Sequence, residues 1–184
     1  MKIKGKDEIR DAALDIIAYD GIENLTMSTL AKNLGLTKAA LYHWYTSKEE
    51  ILDDIYSEGH KRLMKKGFKL LLKGNIEDVL MEAASKWEEL FSDQEIMTYL
   101  RCVFSLHFCN EMARDEYRAL SLMLKSQVDV IIDSIPNERI QKNKAIISKL
   151  FSSLLISNLE TMLDEEESNM KNDVIDFSKL LQTL

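Results

Sequence analysis

The chain has 184 residues, enough for one globular unit of ordinary size or for two small units that share a core. It is 46% apolar and 30% charged, which is typical of a globular protein, and we find no apolar run near the roughly 18 residues that a membrane-spanning helix requires. The net charge of −7 argues against a protein that coats nucleic acid indiscriminately. Since the N-terminal residues form no apolar secretory signal, we expect a soluble, cytoplasmic protein.

Residues that break helices are scarce. The chain has six glycines, all within the first 74 residues, and one proline, Pro136. Leu, Lys, Glu, Met and Ala, which favour helices, dominate the rest, so we expect an all-α fold. Cys102 and Cys109 fall on one predicted helix, too far apart for a disulfide bond, and are predicted to be core thiols. No metal site and no cofactor is predicted.

About nine helices are predicted from apolar periodicity, N-cap residues and breakers. In the first half they cover about 7–20, 27–34, 38–45 and 48–72, with Thr26, Thr37 and Ser47 as N-caps. Ser47 and Glu50 are predicted to form a capping box, and Gly59 is predicted to weaken or bend the fourth helix. The later helices cover about 75–91, 94–110, 112–133, 138–164 and 170–183.

The segment 24–48 contains no Asp or Glu and three lysines, although acids number 31 in the whole chain. At 100° per residue, the helix that starts at Lys38 has two opposite faces. One face is cationic and hydrogen-bonding, with Lys38, Ala39, Tyr42 and His43; the other is apolar, with Ala40, Leu41, Trp44 and Tyr45. A short, donor-rich helix anchored by its apolar face is what a helix-turn-helix unit places in the DNA major groove.

Contacts to the DNA backbone are predicted on the same basis. Thr26 and Thr37 begin helices, Lys48 follows the third helix, and the hydroxyl of Tyr42 can donate to a phosphate oxygen. The N-terminal lysines Lys2, Lys4 and Lys6 form a candidate basic arm. Each feature also has an ordinary explanation, because threonines cap helices and surface lysines are solvated in most proteins.

Residues Ile9 to Leu52 resemble the DNA-binding domain of the tetracycline-repressor (TetR) family. The matching motifs are Ala12-Ala13, Gly21, Leu25-Thr26-Met27, Leu30-Ala31, Leu34-Gly35-Leu36-Thr37-Lys38, Leu41-Tyr42-x-Trp44-Tyr45 and Ser47-Lys48-Glu49-Glu50-Ile51-Leu52. The resemblance implies a helix-turn-helix domain over 1–48, a helical ligand-binding and dimerisation domain over 49–184, and a cytoplasmic homodimer that represses transcription until a small molecule binds.

The chain departs from that family's pattern at four positions. The family often has an aromatic residue at Ile17, His at Trp44, Phe at Tyr45 and Gly at Ala39. The first three changes are interpreted as changes in core packing. Ala39 alters the surface that faces the groove, so the family's base preference cannot be transferred.

Aromatic residues in the C-terminal half are candidates for an apolar ligand cavity, and His107 is the candidate polar member. The set is Trp87, Phe91, Tyr99, Phe104, His107, Phe108, Tyr117 and Met123. The alternative is that these residues simply form the core. Metal binding by Cys102, His107 and Cys109 is disfavoured, because they do not share one helix face.

The last two helices carry apolar stripes suited to a four-helix bundle between two subunits. The candidate interface is Ile147, Leu150, Phe151, Leu154, Leu155, Asn158, Met162, Val174, Phe177 and Leu181. The alternative is that the same stripes only close the core of one subunit. A dimer would allow two recognition helices, about 34 to 36 Å apart, to bind one palindromic operator.

The hypothesis from the sequence is therefore a ligand-responsive repressor of double-stranded DNA, in which a bound small molecule tilts the fourth helix. No pair of residues supports an enzyme, because the three histidines are scattered and lack a nucleophile or acid partner at a suitable spacing. A dimeric adaptor of the same fold, without an inducer, remains the alternative.

Overall fold

In a computed structural model, the structure describes residues 5–67, 75–164 and 167–183, and the helices named here lie within them. They are α1 (Lys6–Asp15), α2 (Met27–Asn33), α3 (Lys38–Tyr42), α4 (Lys48–Lys65), α5 (Ile76–Phe91), α6 (Gln94–Leu106), α7 (Glu111–Asp133), α8 (Glu138–Lys142), α9 (Lys144–Leu163) and α10 (Met170–Gln182). The all-α prediction is confirmed. The predicted eighth helix is two helices, because the chain leaves helical geometry at Asn143, where φ is −104° and ψ is 11°.

Two compact units make up the chain. Unit 1 comprises Met1–Lys65 and Gln94–Tyr117, and unit 2 comprises Lys66–Asp93 and Arg118–Leu184. Unit 1 therefore contains α1 to α4, α6 and the start of α7, whereas unit 2 contains α5, the rest of α7 and α8 to α10. The functional boundary near residue 48 is a different division of the chain and stays a prediction.

In unit 1, α1 is the central helix and packs against α2, α4 and α6. Its apolar face is buried, and a π-helical turn over Ile16–Asp20 extends it to Gly21, whose φ of 93° suits a residue without a side chain. Arg62 of α4 pairs with Glu58, with Asp11 of α1 and with Glu95 of α6. Apolar burial and this ion network thus tie α6 to the N-terminal helices.

One detail at the start of α4 differs from the prediction. The Ser47 hydroxyl accepts a hydrogen bond from the Glu50 amide at 3.2 Å, as expected for an N-cap. The Glu50 carboxylate, however, accepts from the amide and hydroxyl of Thr46, at 2.7 and 2.9 Å, so the predicted capping box is only half formed. The part of the predicted helix from Phe68 to Leu72 lies outside the described residues.

In unit 2, α5 packs along α10, and aromatic rings fill the space between α5, α9 and α10. Trp87 is fully buried edge-on against Phe151, with ring centroids 6.0 Å apart, and Phe151 stacks on Phe177 at 4.4 Å. The Trp87 indole donates to the side chain of Gln127 at 2.7 Å. Since a buried indole N–H needs an acceptor, this bond lets α7 close the same core.

Helix α9 corrects the expectation about membrane spans. It covers 20 residues, its most apolar window has a mean hydropathy of 1.2, and 39% of that window is buried within the chain. By length and composition alone it is apolar enough to cross a membrane, which the search for continuous apolar runs missed. A helix that is apolar on most sides but only partly covered has a surface that favours burial against something else.

The two thiols differ in their environments. Cys102 is fully buried on α6, and burial raises the pKa of its thiol to about 12. Cys109 is exposed, because it lies after the last residue of α6, in the turn that leads to α7. The prediction of a core thiol therefore holds for Cys102 and is wrong for Cys109.

The surroundings of Gly59 explain why α4 has a glycine in its interior. The helix continues through this position, and a Cβ placed on Gly59 would lie 2.2 Å from the ring of Tyr99 on α6. The Tyr99 ring is held on its other side, since its hydroxyl donates to Glu116 Oε2 at 2.8 Å. The glycine lets α4 and α6 approach closely, rather than marking a bend.

We expect Gly59→Ala to destabilise the protein. The gain in helix propensity, about 1 kcal/mol, is smaller than the cost of moving a buried aromatic ring, which is typically 1–3 kcal/mol or more. Urea unfolding followed by circular dichroism measures the difference, with Ser57→Ala on the exposed side of the same helix as the control. A variant with Ala at position 59 that is more stable than the parent would contradict the close packing.

Candidate nucleic-acid interface

A tight turn joins α2 to α3 and holds them as a helix-turn-helix unit. The Leu36 amide donates to the Ala31 carbonyl at 2.8 Å, and the Gly35 amide donates to the Lys32 carbonyl at 3.1 Å. Gly35 has a φ of 65°, a left-handed conformation that glycine adopts without strain. Leu30 is fully buried beneath the unit, so the turn and the core together set the position of α3.

The outer face of α3 is exposed and lacks acids. Lys38, Ala39, Tyr42 and His43 are all exposed, with 49% of Tyr42 accessible, whereas Leu41 is fully buried. Side chains of Lys, Tyr and His can donate hydrogen bonds to base edges or phosphates, and Ala can contact a thymine methyl group. The structure places these four residues together on the exposed side of α3, and their contacts with DNA stay a prediction.

Trp44 corrects the predicted apolar anchor. It is 41% exposed, because α3 ends at Tyr42 and the helical periodicity used for the prediction does not extend to residue 44. Tyr45 is fully buried, as predicted, and its hydroxyl lies 2.5 Å from an oxygen of Asp54 on α4. Burial, followed by the bond to Asp54, raises the pKa of Tyr45 above its usual value. Leu41 and Tyr45 therefore anchor α3 without Trp44.

The start of α2 contains a capping box that the sequence analysis missed. Thr26 accepts from the Thr29 amide at 3.0 Å, and the Thr29 hydroxyl oxygen accepts from the Thr26 amide at 3.0 Å. The same hydroxyl lies 2.7 Å from the Asn24 carbonyl. The usual motif has Glu or Gln at this third position, so a Thr carries no clear signal in the sequence. Thr37 caps α3 in the simpler way, accepting from the Ala40 amide at 3.2 Å.

The lysines near this surface differ in the contacts that their amino groups already make within the protein. Lys48 Nζ donates to the Ile22 carbonyl at 2.5 Å, so it ties the start of α4 to the loop before α2. Lys6 lies 3.7 Å from Glu50 and 4.5 Å from the centre of the Tyr45 ring, and therefore belongs to the folded surface. Lys2 and Lys4 lie outside the described residues. Lys32, exposed at the end of α2, falls in the acid-free segment but was not singled out.

Residues 9–55 match the model for bacterial regulatory proteins of the tetR family. The match covers about a quarter of the chain, so over this segment the chain is similar to the helix-turn-helix DNA-binding domain of that family.

Solved structures extend the likeness over the length of the chain. The TetR-family transcriptional regulator PfmR from Thermus thermophilus has 22% identity and a TM-score of 0.65, covering 97% of this chain and 96% of that chain. A TetR-like transcriptional regulator from Rhodococcus sp. RHA1 has 13% identity and a TM-score of 0.68, with the same coverage. A proposed transcriptional regulator from Saccharomonospora viridis, in complex with choline, has 16% identity and a TM-score of 0.58, covering 95% of each chain. At these identities the likeness shows the fold alone. No curated protein matches the sequence significantly.

The aromatic residues predicted to line one ligand cavity are distributed over both units. Tyr99, Phe104, His107, Phe108 and Tyr117 belong to unit 1, and Trp87, Phe91 and Met123 belong to unit 2. Trp87 and Phe91 are fully buried. Trp87 is part of the α5–α9–α10 core, as the alternative interpretation holds.

Within unit 1, four of these residues form an aromatic cluster at the turn between α6 and α7. His107 stacks on Tyr117 with ring centroids 4.4 Å apart, and Phe104 meets Tyr117 edge-on at 5.1 Å. Phe108 covers one side of His107 at 3.8 Å and is itself 85% exposed. The rings contact one another, so the cluster is packed, and Phe108 is a surface residue rather than the wall of an enclosed cavity.

The predicted dimer residues divide by burial. Six of them are buried within the chain and contribute to the core of unit 2: Ile147, Phe151, Leu155, Asn158, Val174 and Leu181. Asn158 is held there by a 2.7 Å hydrogen bond to Asp173 of α10. Since a residue covered by its own chain cannot contact a partner, these six are corrected to core residues. Leu150 is 56% exposed, and Leu154, Met162 and Phe177 are partly exposed.

We expect Thr29→Val to weaken the helix-turn-helix unit. The variant removes the hydroxyl that satisfies the Thr26 amide and contacts the Asn24 carbonyl, a loss of about 1 kcal/mol. Chemical unfolding should show this loss, whereas Ser28→Ala, at an exposed position in the same turn, should leave stability within about 0.5 kcal/mol of the parent. Equal stability of the Thr29→Val variant and the parent would show that the box contributes nothing.

Proposed function

We propose that the protein is a cytoplasmic repressor that binds a palindromic operator as a homodimer and responds to a small molecule. The observation that carries the DNA-binding part is the exposed face of α3. Lys38, Ala39, Tyr42 and His43 lie on it together, above a buried anchor and inside a segment without Asp or Glu. Such a face suits the major groove, where donors and small apolar groups meet base edges and phosphates.

Residue roles follow from position along α3. Lys38 and Ala39 lie in its first turn, and His43 follows its last residue on the same exposed face, so these three are assigned to base edges. The Tyr42 hydroxyl and the Thr26 and Thr37 hydroxyls are assigned to phosphates. Lys48 is assigned to a phosphate beside the loop it already holds, because two of its three N–H groups remain after the bond to the Ile22 carbonyl.

Matched substitutions separate the two kinds of contact. Lys48→Ala and Tyr42→Phe should weaken binding to all sequences, whereas Lys38→Ala and His43→Ala should change which base pairs are preferred, by about 1–3 kcal/mol per contact. With about four phosphates neutralised per subunit, the slope of log K against log salt should be near −7, and Lys48→Ala should reduce it by about 2 per dimer.

The measurement is fluorescence anisotropy on fragments selected from a random DNA pool by the parent protein. Lys142→Ala, which removes an exposed lysine of unit 2, is the control and should leave the affinity unchanged. A slope near zero for the parent, or unaltered affinity when Lys48→Ala and Tyr42→Phe are combined, would contradict the assignment. An adaptor of this fold would select no fragment at all.

The dimer is proposed to use the uncovered side of unit 2. Ile146 and Leu150 on α9 and Leu180 on α10 are more than half exposed, and α9 is apolar on most sides although only 39% of its central window is buried. A second copy that covers these residues would remove the apolar surface from water and would pair two recognition helices on one operator. The interface is therefore assigned to the exposed residues of α9 and α10, and not to the six that form the core.

We expect Leu150→Glu to dissociate the dimer, because it places a charge in an interface that is otherwise apolar. Sedimentation velocity should show a single subunit for this variant and a dimer for the parent. Lys142→Glu changes an exposed lysine of α8, outside the proposed interface, and should leave the dimer intact. A parent protein that sediments as a single subunit would remove the basis for a palindromic operator.

The response to a small molecule is supported by the S. viridis protein of the same fold, which holds choline. In this chain the support comes from unit 1, where the buried Tyr56 hydroxyl has only the weakly polar Cys102 thiol beside it and no stronger hydrogen-bond partner among the described residues, and Glu116 accepts from Tyr99 close by. A bound molecule would release DNA by favouring the arrangement of α4 that binds DNA less well. Anisotropy with choline and with metabolite extracts tests the response.

A further inference from the structure

The large apolar side chain that follows the end of the recognition helix is only partly covered by the protein. Trp44 is 41% exposed, two residues after α3 ends, and its backbone amide is held by the Leu41 carbonyl at 2.9 Å. Its ring touches only the edge of His43 among the described aromatic residues, with centroids 6.0 Å apart. Within the described part of the chain, no hydrogen bond is made by its indole N–H.

An exposed tryptophan with a free N–H has two groups to offer a partner: a wide apolar face and one strong donor. The residues next to Trp44 in the sequence indicate the charge that a partner would carry. Tyr42 and His43 precede Trp44, Lys48 follows it, and the segment 24–48 has no acid. These residues form a surface that favours a polyanion, which is the partner already proposed for α3.

The position along the helix specifies which part of the DNA Trp44 meets. In a helix-turn-helix unit the N-terminal residues of the recognition helix contact base edges. Farther along, towards its C-terminal end, a recognition helix of this kind also contacts the DNA backbone, as in the homeodomain. Trp44 is two residues beyond the end of α3 and four residues before Lys48, which is assigned to a phosphate.

We propose that Trp44 is a DNA-positioning residue whose ring packs on a deoxyribose and whose indole N–H donates to a neighbouring phosphate oxygen. This inference rests on the proposed DNA binding and adds a contact that carries no charge. An uncharged donor displaces no condensed counterion, so it strengthens binding without steepening the salt dependence. It touches no base edge, so it strengthens binding to every sequence equally.

The first test compares Trp44→Phe and Trp44→Ala on DNA fragments selected by the parent protein. Phe keeps an aromatic face and loses the donor, so the affinity of the dimer should fall about tenfold to a hundredfold, which is the range for two lost hydrogen bonds, one per subunit. Ala loses both groups and should bind more weakly than Phe. The salt slope and the ranking of DNA sequences should stay as in the parent, in contrast to Lys48→Ala, which lowers the slope. Unaltered affinity in both variants, or a changed ranking of sequences, would overturn the assignment.

The second test needs no substitution. The chain has only two tryptophans, Trp44 and the fully buried Trp87, so 5-fluorotryptophan gives one ¹⁹F resonance from each. Addition of selected DNA should shift the Trp44 resonance and protect Trp44 from acrylamide, while Trp87 serves as the internal reference. If DNA binds but Trp44 stays accessible and unshifted, the inference fails and the proposed function stands. If no DNA fragment binds at all, both fail.

Discussion

Burial beneath α3 is the interaction on which the DNA-binding surface depends. Helices α2 and α3 have seven and five residues, and helices of that length are not stable alone in water. They persist because Leu30, Leu41 and Tyr45 are fully buried in unit 1, and because Tyr45 is fixed to Asp54 of α4. The exposed residues of α3 can be polar and cationic only because its inner residues supply the stability.

The same constraint explains which parts of the site the sequence predicted well. Apolar periodicity, N-caps and Gly35 determine the unit locally, so the starts of α2, α3 and α4 were found to the residue. Trp44 was placed wrongly because the third helix was extended to Tyr45, whereas it ends at Tyr42. Tyr45 also lies beyond this end and is nevertheless buried as predicted, with its hydroxyl bonded to Asp54. The position at which the helix ends is what the periodicity of a single sequence does not show.

The wrong predictions for the C-terminal half of the chain have a different physical origin. An apolar stripe on a helix looks the same whether its own chain or a second chain covers it, so Ile147 and Phe151 were assigned to an interface although they lie in the core. The aromatic set divides between the two units for a related reason: residue type indicates burial but not which unit provides it. For Gly59 the sequence indicates only a weak point within a helix. Its role in the close packing of α4 on α6 follows from the Tyr99 ring that lies against it.

Packing in unit 1 also determines how a movement caused by a bound ligand would be transmitted to α3. The proposed tilt of α4 requires a path from the C-terminal helices to α3. Glu116 of α7 accepts from Tyr99 of α6 and lies 2.8 Å from His60 Nδ1 of α4, through the same carboxylate oxygen. Tyr99 in turn fits against Gly59, so α4 cannot shift without displacing α6. Because α1 packs on both α4 and α6, a displacement there acts on the core that carries α3. A ligand response of the proposed kind would therefore involve α6 and α4 together rather than α4 alone.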